Sequence, residues 1–298
     1  MQVIPPHGLS DVRGARFRVR CWGARGTVPS PGAHTVRYGG HTSCVEVRAA
    51  DDAVVVLDGG TGIRPLGQQL APEQPAHVFL THRHSDHVIG LPHFRPLFTP
   101  EHAVHLACGS ADAGTTRALI DTLLSPPLFP PLPAALQGLV VRDFDDGAPT
   151  FVGSHTSVHR FPARHPGGAS VFRVDDAAGP ALAYAPDNEL DYASADPEVV
   201  AWRRGLTLAL QGVPVLLHDA MYTDDELPSH RGWGHSSAHE ATRFALECHA
   251  ELLVLFHHHP DRTDDALDGI VQACREQVAA HGRSLRVIAA WEGLSLAV

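Results

Sequence analysis

The 298-residue sequence predicts an α/β protein, an αββα sandwich of two stacked mixed sheets with helices on the outside. Three observations lead there. Strand-like apolar stretches dominate the start of each half of the chain and helix-like stretches its end. No long linker divides the halves. Hydrophobic content of 44% and charged content of 19% describe a globular chain long enough to bury a large core. The length could hold two ordinary domains, but one domain of two halves over 16–298 is the expectation. Residues 1–15, with Pro5, Pro6 and Gly8, are expected to be a poorly ordered extension.

Alternation over 16–22 marks the first strand, which Gly23 closes. Gly23-Ala24-Arg25-Gly26-Thr27-Val28-Pro29-Ser30-Pro31-Gly32 is a loop by its punctuation. Strands follow at 42–48 and 53–57, closed by Asp58-Gly59-Gly60-Thr61-Gly62, and 63–70 begins a helix. Neither glycine cluster has the spacing, or the following Lys-Ser/Thr, of a phosphate-binding loop, so turn geometry explains both. Strands at 76–80 and 103–107 precede a helix at 111–124. Pro126-Pro127-Leu128-Phe129-Pro130-Pro131-Leu132-Pro133 can continue neither helix nor central strand, and reads as a surface connection or as an apolar lid.

Strands resume at 139–144, 155–161, 169–174 and 180–185. A helix over 196–210, weakened by Gly205, leads to strands at 214–218, 252–256 and 285–290. Between these, Ser237-Ala238-His239-Glu240 has capping-box form and opens an amphipathic helix running to about 249. A last helix spans 264–281.

The formal charge of -10 argues against a broad nucleic-acid surface while leaving a local basic pocket open. Cys21, Cys44, Cys108, Cys248 and Cys274 are odd in number and lack a C-x-x-C pair, so they read as reduced, mostly buried thiols. No charged leader precedes an apolar run, and no apolar run reaches the length of a membrane span. The expectation is a soluble cytoplasmic protein without a membrane partner; the oligomeric state is left open, a homodimer included.

The chemistry concentrates in Thr81-His82-Arg83-His84-Ser85-Asp86-His87, which leaves the strand at 76–80. Three imidazoles and a carboxylate within six residues are metal ligands in kind, although a polar loop in a chain with 22 histidines is the plainer alternative. In extended backbone His82 and His84 point the same way and can share one ion. Asp86 and His87, beyond the turn, can face a second. Zinc suits this donor set first, with manganese and iron as alternatives.

The seven-residue run resembles the Thr-His-x-His-x-Asp-His signature of the metallo-β-lactamase superfamily. Arg25-Gly26-Thr27, Tyr38-Gly39-Gly40-His41-Thr42-Ser43-Cys44 and Asp58-Gly59-Gly60-Thr61-Gly62 resemble a bacterial branch of it close to the phosphodiesterases, where Asn usually stands in place of His41. The resemblance implies the same αββα architecture from about residue 16 to the end. A centre for two divalent ions needs about three protein groups per ion. His165, Asp187 and His257 each follow a strand. The resemblance implies that His82, His84 and His165 bind one ion, that Asp86, His87 and His257 bind the other, and that Asp187 bridges them. His258 and His259 are expected to support the ligands or meet solvent.

Val215-Leu216-Leu217-His218-Asp219-Ala220-Met221-Tyr222 and Gly232-Trp233-Gly234-His235-Ser236-Ser237 resemble the His-Glu-Ala-Thr and His-Ser-Thr segments of the tRNA 3'-processing endonucleases and related phosphodiesterases, with Asp219 replacing the glutamate. Cleavage of a phosphodiester leaves an alkoxide that needs a proton. His235 before a helix can supply it, with Asp219 orienting the ring, unless His235 only packs beside Trp233. Asp86, His235 and Asp219 are therefore the catalytic candidates, and Arg25 and Arg64 are conceivable phosphate contacts.

The resemblance implies a metal-dependent hydrolase, in first place a phosphodiesterase acting on a small diester such as a cyclic nucleotide by attack of a metal-bound hydroxide. RNA processing ranks second, because no basic, glycine-rich arm is present. Carbonyl hydrolysis of lactones, thioesters or lactams shares the ligand set, and a di-iron redox or sensing protein is the alternative of another class.

Overall fold

The computed structural model describes residues 2–4, 15–110, 112–130, 136–144 and 147–298. In chain order the strands are β1 (Gln2–Ile4), β2 (Phe17–Gly23), β3 (Cys44–Ala49), β4 (Val54–Leu57), β5 (Ala76–Leu80), β6 (Val104–Cys108) and β7 (Leu139–Arg142). Then come β8 (Thr150–Val152), β9 (Thr156–Ala163), β10 (Ala169–Asp176), β11 (Gly179–Ala185), β12 (Val215–Asp219), β13 (Leu252–Phe256), β14 (Arg286–Ala289) and β15 (Ser295–Ala297). The helices are α1 (Ile63–Gly67), α2 (Ser85–Val88), α3 (Ala113–Leu123), α4 (Pro197–Ala209), α5 (Ala238–Glu247) and α6 (Asp264–His281).

The strands form an eight-stranded sheet in the order β1-β15-β2-β3-β4-β5-β6-β7 and a seven-stranded sheet in the order β14-β13-β12-β11-β10-β9-β8. Both are mixed. Pairing is parallel from β4 to β7 and from β11 to β14, and antiparallel elsewhere. All five residues of β12 and of β13 are buried, the pattern of parallel strands covered on both faces.

Apolar side chains fill three layers. Val45, Val47 and Phe79 meet Phe172, Leu217 and Val254 between the sheets. Leu206 of α4, Phe244 of α5 and Val271 of α6 cover the second sheet, while Ile63, Leu66 and Ile120 cover the first. Burying each such side chain contributes about 1.5–3 kcal/mol. Two sheets face to face, with helices outside, are the αββα sandwich the sequence predicts.

Three strands escape the sequence reading. β1, β8 and β15 have three residues each, too few to show a period. β1 pairs with β15 within the span expected to be a poorly ordered extension, and residues 5–14 of that span lie outside the described residues. Of the proline-rich segment, 131–133 also lie outside them. In its described part Phe129 stacks on Phe98, and none of 126–130 lines the cleft that holds the site below. Ser237 caps α5 by accepting from Glu240 N, but the Glu240 carboxylate takes Tyr192 N and Arg231 instead of closing a capping box. Among the described residues no helix is long and apolar enough to cross a membrane.

Candidate metal centre

The residues following β4, β5, β9, β11, β12 and β13 converge at one edge of the two sheets. Parallel pairing in each half sends these strand ends the same way, and loops at strand ends can carry polar groups that the sheets cannot. His84 stands at the N-cap position of α2, with no capping bond from its side chain, and this single turn buries Asp86 and His87.

His82 is 1% exposed, and burial, with His87 beside it, pushes its pKa down to about 2, so the ring stays neutral. His84 and His165 meet through His84 Nδ1 and His165 Nε2, 3.0 Å apart. His165 Nδ1 donates to Gly234 O at 3.0 Å, which leaves Nε2 as its ligand atom. On the other side Asp86 Oδ2 accepts from Thr27 N at 2.7 Å and from His257 Nε2 at 3.0 Å. Burial opposes its charge, yet His87 and His257 hold its carboxyl well below the usual range.

Asp187 stands between the two groups. Its Oδ1 lies 3.8 Å from His165 Nε2 and 4.0 Å from His82 Nε2. Its Oδ2 lies 2.9 Å from His87 Nε2 and 3.4 Å from His257 Nε2. The ligand atoms of His82, His84 and His165 fall within 4.8 Å of one another, as do those of Asp86, His87 and His257.

These residues fit divalent ions. His82 Nε2, His87 Nε2 and Asp187 Oδ2 are buried without hydrogen-bond partners, although they face one another. Orphaned buried polar atoms are costly, and here they converge as ligands do. Burial alone would lower the His87 pKa, but Asp86, Asp187 and Asp58 raise it well above the ordinary value, so this cluster calls for positive charge. A dication would supply it.

His235 and Asp219 form a second unit. His235 Nδ1 donates to Asp219 Oδ2 at 2.8 Å, and Asp219 also accepts from Asn188 N and Met221 N. Burial opposes a charged His235, but Asp219 and the other carboxylates raise its pKa to about 9. Its ligand atoms also fall within reach of His165 and Asp187. Its Nδ1, like that of His165, already has a partner.

The structure thus brings His82, His84, Asp86, His87, His165, Asp187, Asp219, His235 and His257 together, and leaves Arg25 and Arg64 apart from them. Arg25 is the correction. It is 1% exposed and donates to the carbonyls of Gly39, His259 and Arg262, so it pins loops and is sealed from any phosphate. Arg64 lines a separate hollow with His41, whose Nδ1 meets Thr61 Oγ1 at 3.1 Å. His258 is buried, with Nε2 donating to Ala290 O, whereas His259 lines the cleft.

Two carboxylates with clear roles are missed by the sequence reading. Asp58 Oδ2 accepts from His87 Nδ1 at 2.8 Å and from Tyr184 Oη at 3.0 Å, and Asp58 Oδ1 accepts from Thr81 N. Its place directly after β4 was the available signal. Glu189 accepts from Gly232 N and Gly234 N, fixing the loop before His235. Gly26 approaches His257 so closely that a Cβ there would lie 2.4 Å from Nδ1.

A two-sheet sandwich with a His/Asp cluster at its strand ends is an arrangement that can hold metal ions. The Beta-lactamase superfamily domain matches residues 54–258, and the chain belongs to the metallo-β-lactamase superfamily. A protein of Mycobacterium leprae (strain TN), the uncharacterized ML1173, is 27% identical over 261 residues, covering 86% of this chain and 82% of that protein. YhfI of Bacillus subtilis, a metallo-β-lactamase fold protein, superposes with a TM-score of 0.68 at 19% identity, over 94% of this chain and 98% of YhfI. Human tRNase Z, short form, gives 0.62 at 20% over 94% and 98%. A diphosphatase from the PhnP family gives 0.64 at 17% over 94% and 97%. These likenesses show the fold.

Proposed function

We propose that this hydrolase is a two-metal phosphodiesterase acting on a small phosphodiester such as a cyclic nucleotide. His82, His84 and His165 would hold one ion, Asp86, His87 and His257 the other, with Asp187 between them. Divalent ions there, zinc in first place, supply Lewis acidity that activates water at neutral pH and offsets charge on phosphoryl oxygens.

The single observation that carries the reading is His235. It borders the cleft, its ring stacks 5.0 Å from that of His257, and Asp219 holds it at 2.8 Å. A proton donor fixed beside the ligand cluster suits an alkoxide leaving group. Asp219, anchored by two backbone amides, keeps the ring oriented and stabilises its charged form. Asp86, anchored by Thr27 N, keeps its face of the cluster in place. The fold shared with tRNase Z and the PhnP-family diphosphatase supports a phosphorus substrate. Five free, buried cysteines suit a reducing cytoplasm.

Hydrolysis of bis(p-nitrophenyl) phosphate, p-nitrophenyl acetate and a β-lactam, with metal analysis on the same sample, tests the proposal. Diester turnover that disappears in His82→Ala is the expected result. A protein holding two metals per chain that leaves the diester intact but cleaves the ester or the lactam is a carbonyl hydrolase, and the proposal fails. Iron and visible absorption in the protein as isolated would point to redox chemistry instead.

A further inference from the structure

One wall of the cleft is aromatic. The cleft, of about 450 Å³, is lined by Asp86, Asp187 and His257 and by the rings of Tyr222, His230, Trp233 and His259. Tyr222, only 3% exposed, backs His230, with ring centroids 4.4 Å apart and planes 20° apart. Trp233 stands edge-on to His230 at 5.0 Å and remains 60% exposed. The Tyr222 ring lies 6.0 Å from that of His235. A planar group on His230 and Trp233 would therefore sit one ring, that of Tyr222, away from the group proposed to protonate the leaving oxygen.

The wall is held in place. Glu226 accepts from Thr223 N and pairs with Arg262, which also donates to Met221 O. Glu189 holds Gly232, next to Trp233. Rigid aromatic surface exposed in a cleft loses little entropy on binding a flat ligand.

Charge narrows the ligand further. Among the described residues lining the cleft there is no arginine, and the chain contains no lysine. Nothing there would grip a second or third phosphate, as a polyanionic strand requires. A single phosphate at the ligand cluster and one planar ring at the wall match the available groups.

Resting on the phosphodiesterase reading, we propose that His230 and Trp233, backed by Tyr222, form a stacking subsite for a nucleobase, so that the substrate is a base-bearing phosphodiester. Base–aromatic stacking is removed by alanine substitution at a loss of about 10-fold or more in binding.

The test compares thymidine 5'-(p-nitrophenyl phosphate) with methyl p-nitrophenyl phosphate, which share a leaving group and differ in the base. Trp233→Ala should raise KM for the thymidine diester about 10-fold with kcat kept, and leave the methyl diester unchanged; Trp233→Phe should restore it. Equal use of both diesters by the wild type, or an equal loss on both in Trp233→Ala, overturns the proposal. If neither diester is hydrolysed, the phosphodiesterase reading fails by itself. Tryptophan fluorescence of the metal-replete protein then decides the subsite. Quenching by thymidine 5'-monophosphate but not by inorganic phosphate, abolished in Trp233→Phe, supports it, and its absence overturns it.

Discussion

Two Asp–His pairs, one from each half of the chain, share a geometry and differ in surroundings. Asp58 Oδ2 takes the Nδ1 proton of His87 at 2.8 Å, and Asp219 Oδ2 takes that of His235 at 2.8 Å. The far nitrogen of His87 is sealed in the interior, 2.9 Å from Asp187 and 3.3 Å from Asp86. His235 borders the cleft. In the proposed reading one imidazole offers a lone pair to a cation and the other a proton to a ligand. A carboxylate behind the ring orients it in either case, and what the far side meets decides the use.

The largest effect is expected where the pair serves binding. His87→Ala removes a ligand and leaves Asp58, Asp86 and Asp187 as buried carboxylates with less to offset them. Metal content should drop below that of the wild type, diester turnover should vanish and the melting temperature should fall, as it should when the wild type is stripped with a chelator. Unchanged melting after chelation would remove the proposed centre.

His235→Ala should separate the two pairs. Metal content and melting temperature should stay near wild type, while hydrolysis of a diester with an alkoxide leaving group, such as adenosine 2',3'-cyclic phosphate, falls by about 10²–10⁴. Esters of p-nitrophenol, whose leaving group needs no proton, should lose far less. Metal loss in this variant would make His235 a ligand and erase the distinction.

The two pairs were unequally legible in the sequence. His87 stands out because its run packs ligand types into adjacent positions after a clear strand. Asp58 does not, because Asp58-Gly59-Gly60-Thr61-Gly62 also satisfies every rule for a turn, and its contact with His87 spans 29 positions. Elements with sharp ends are legible to the residue. β5 and β13 are short apolar runs, and α6 is bounded by Thr263, which accepts from Ala266 N, and by Gly282 in the left-handed region at φ 64°. The seven ligand candidates from both halves meet at one edge. The aromatic wall is different: Tyr222, His230 and Trp233 come from a loop without periodicity, and only folding shows that their rings stack.

Smaller effects refine the comparison. Asp58→Asn should weaken metal affinity about 10–100-fold, with turnover recovering as metal is raised. Asp219→Asn should depress turnover of the alkoxide diester at every metal concentration. A metal titration of both variants checks this, and recovery of Asp219→Asn with added metal would break the contrast.

The smallest expected effect belongs to Glu189, which joins the two sides. Its carboxylate accepts from Gly232 N and Gly234 N, and Gly234 O accepts from His165 Nδ1. The loop carrying Trp233 and His235 is therefore clamped between the Glu189 carboxylate and His165, a proposed ligand. Glu189→Gln keeps an acceptor of the same shape but replaces charge-assisted bonds with neutral ones, a difference of about 1 kcal/mol or roughly a factor of five. Turnover of the alkoxide diester should fall by about that factor, with metal content unchanged, because the clamp reaches His235 through two residues and His165 only through one carbonyl. Metal loss without a change in turnover per bound metal would assign the loop to the ligand side of the site.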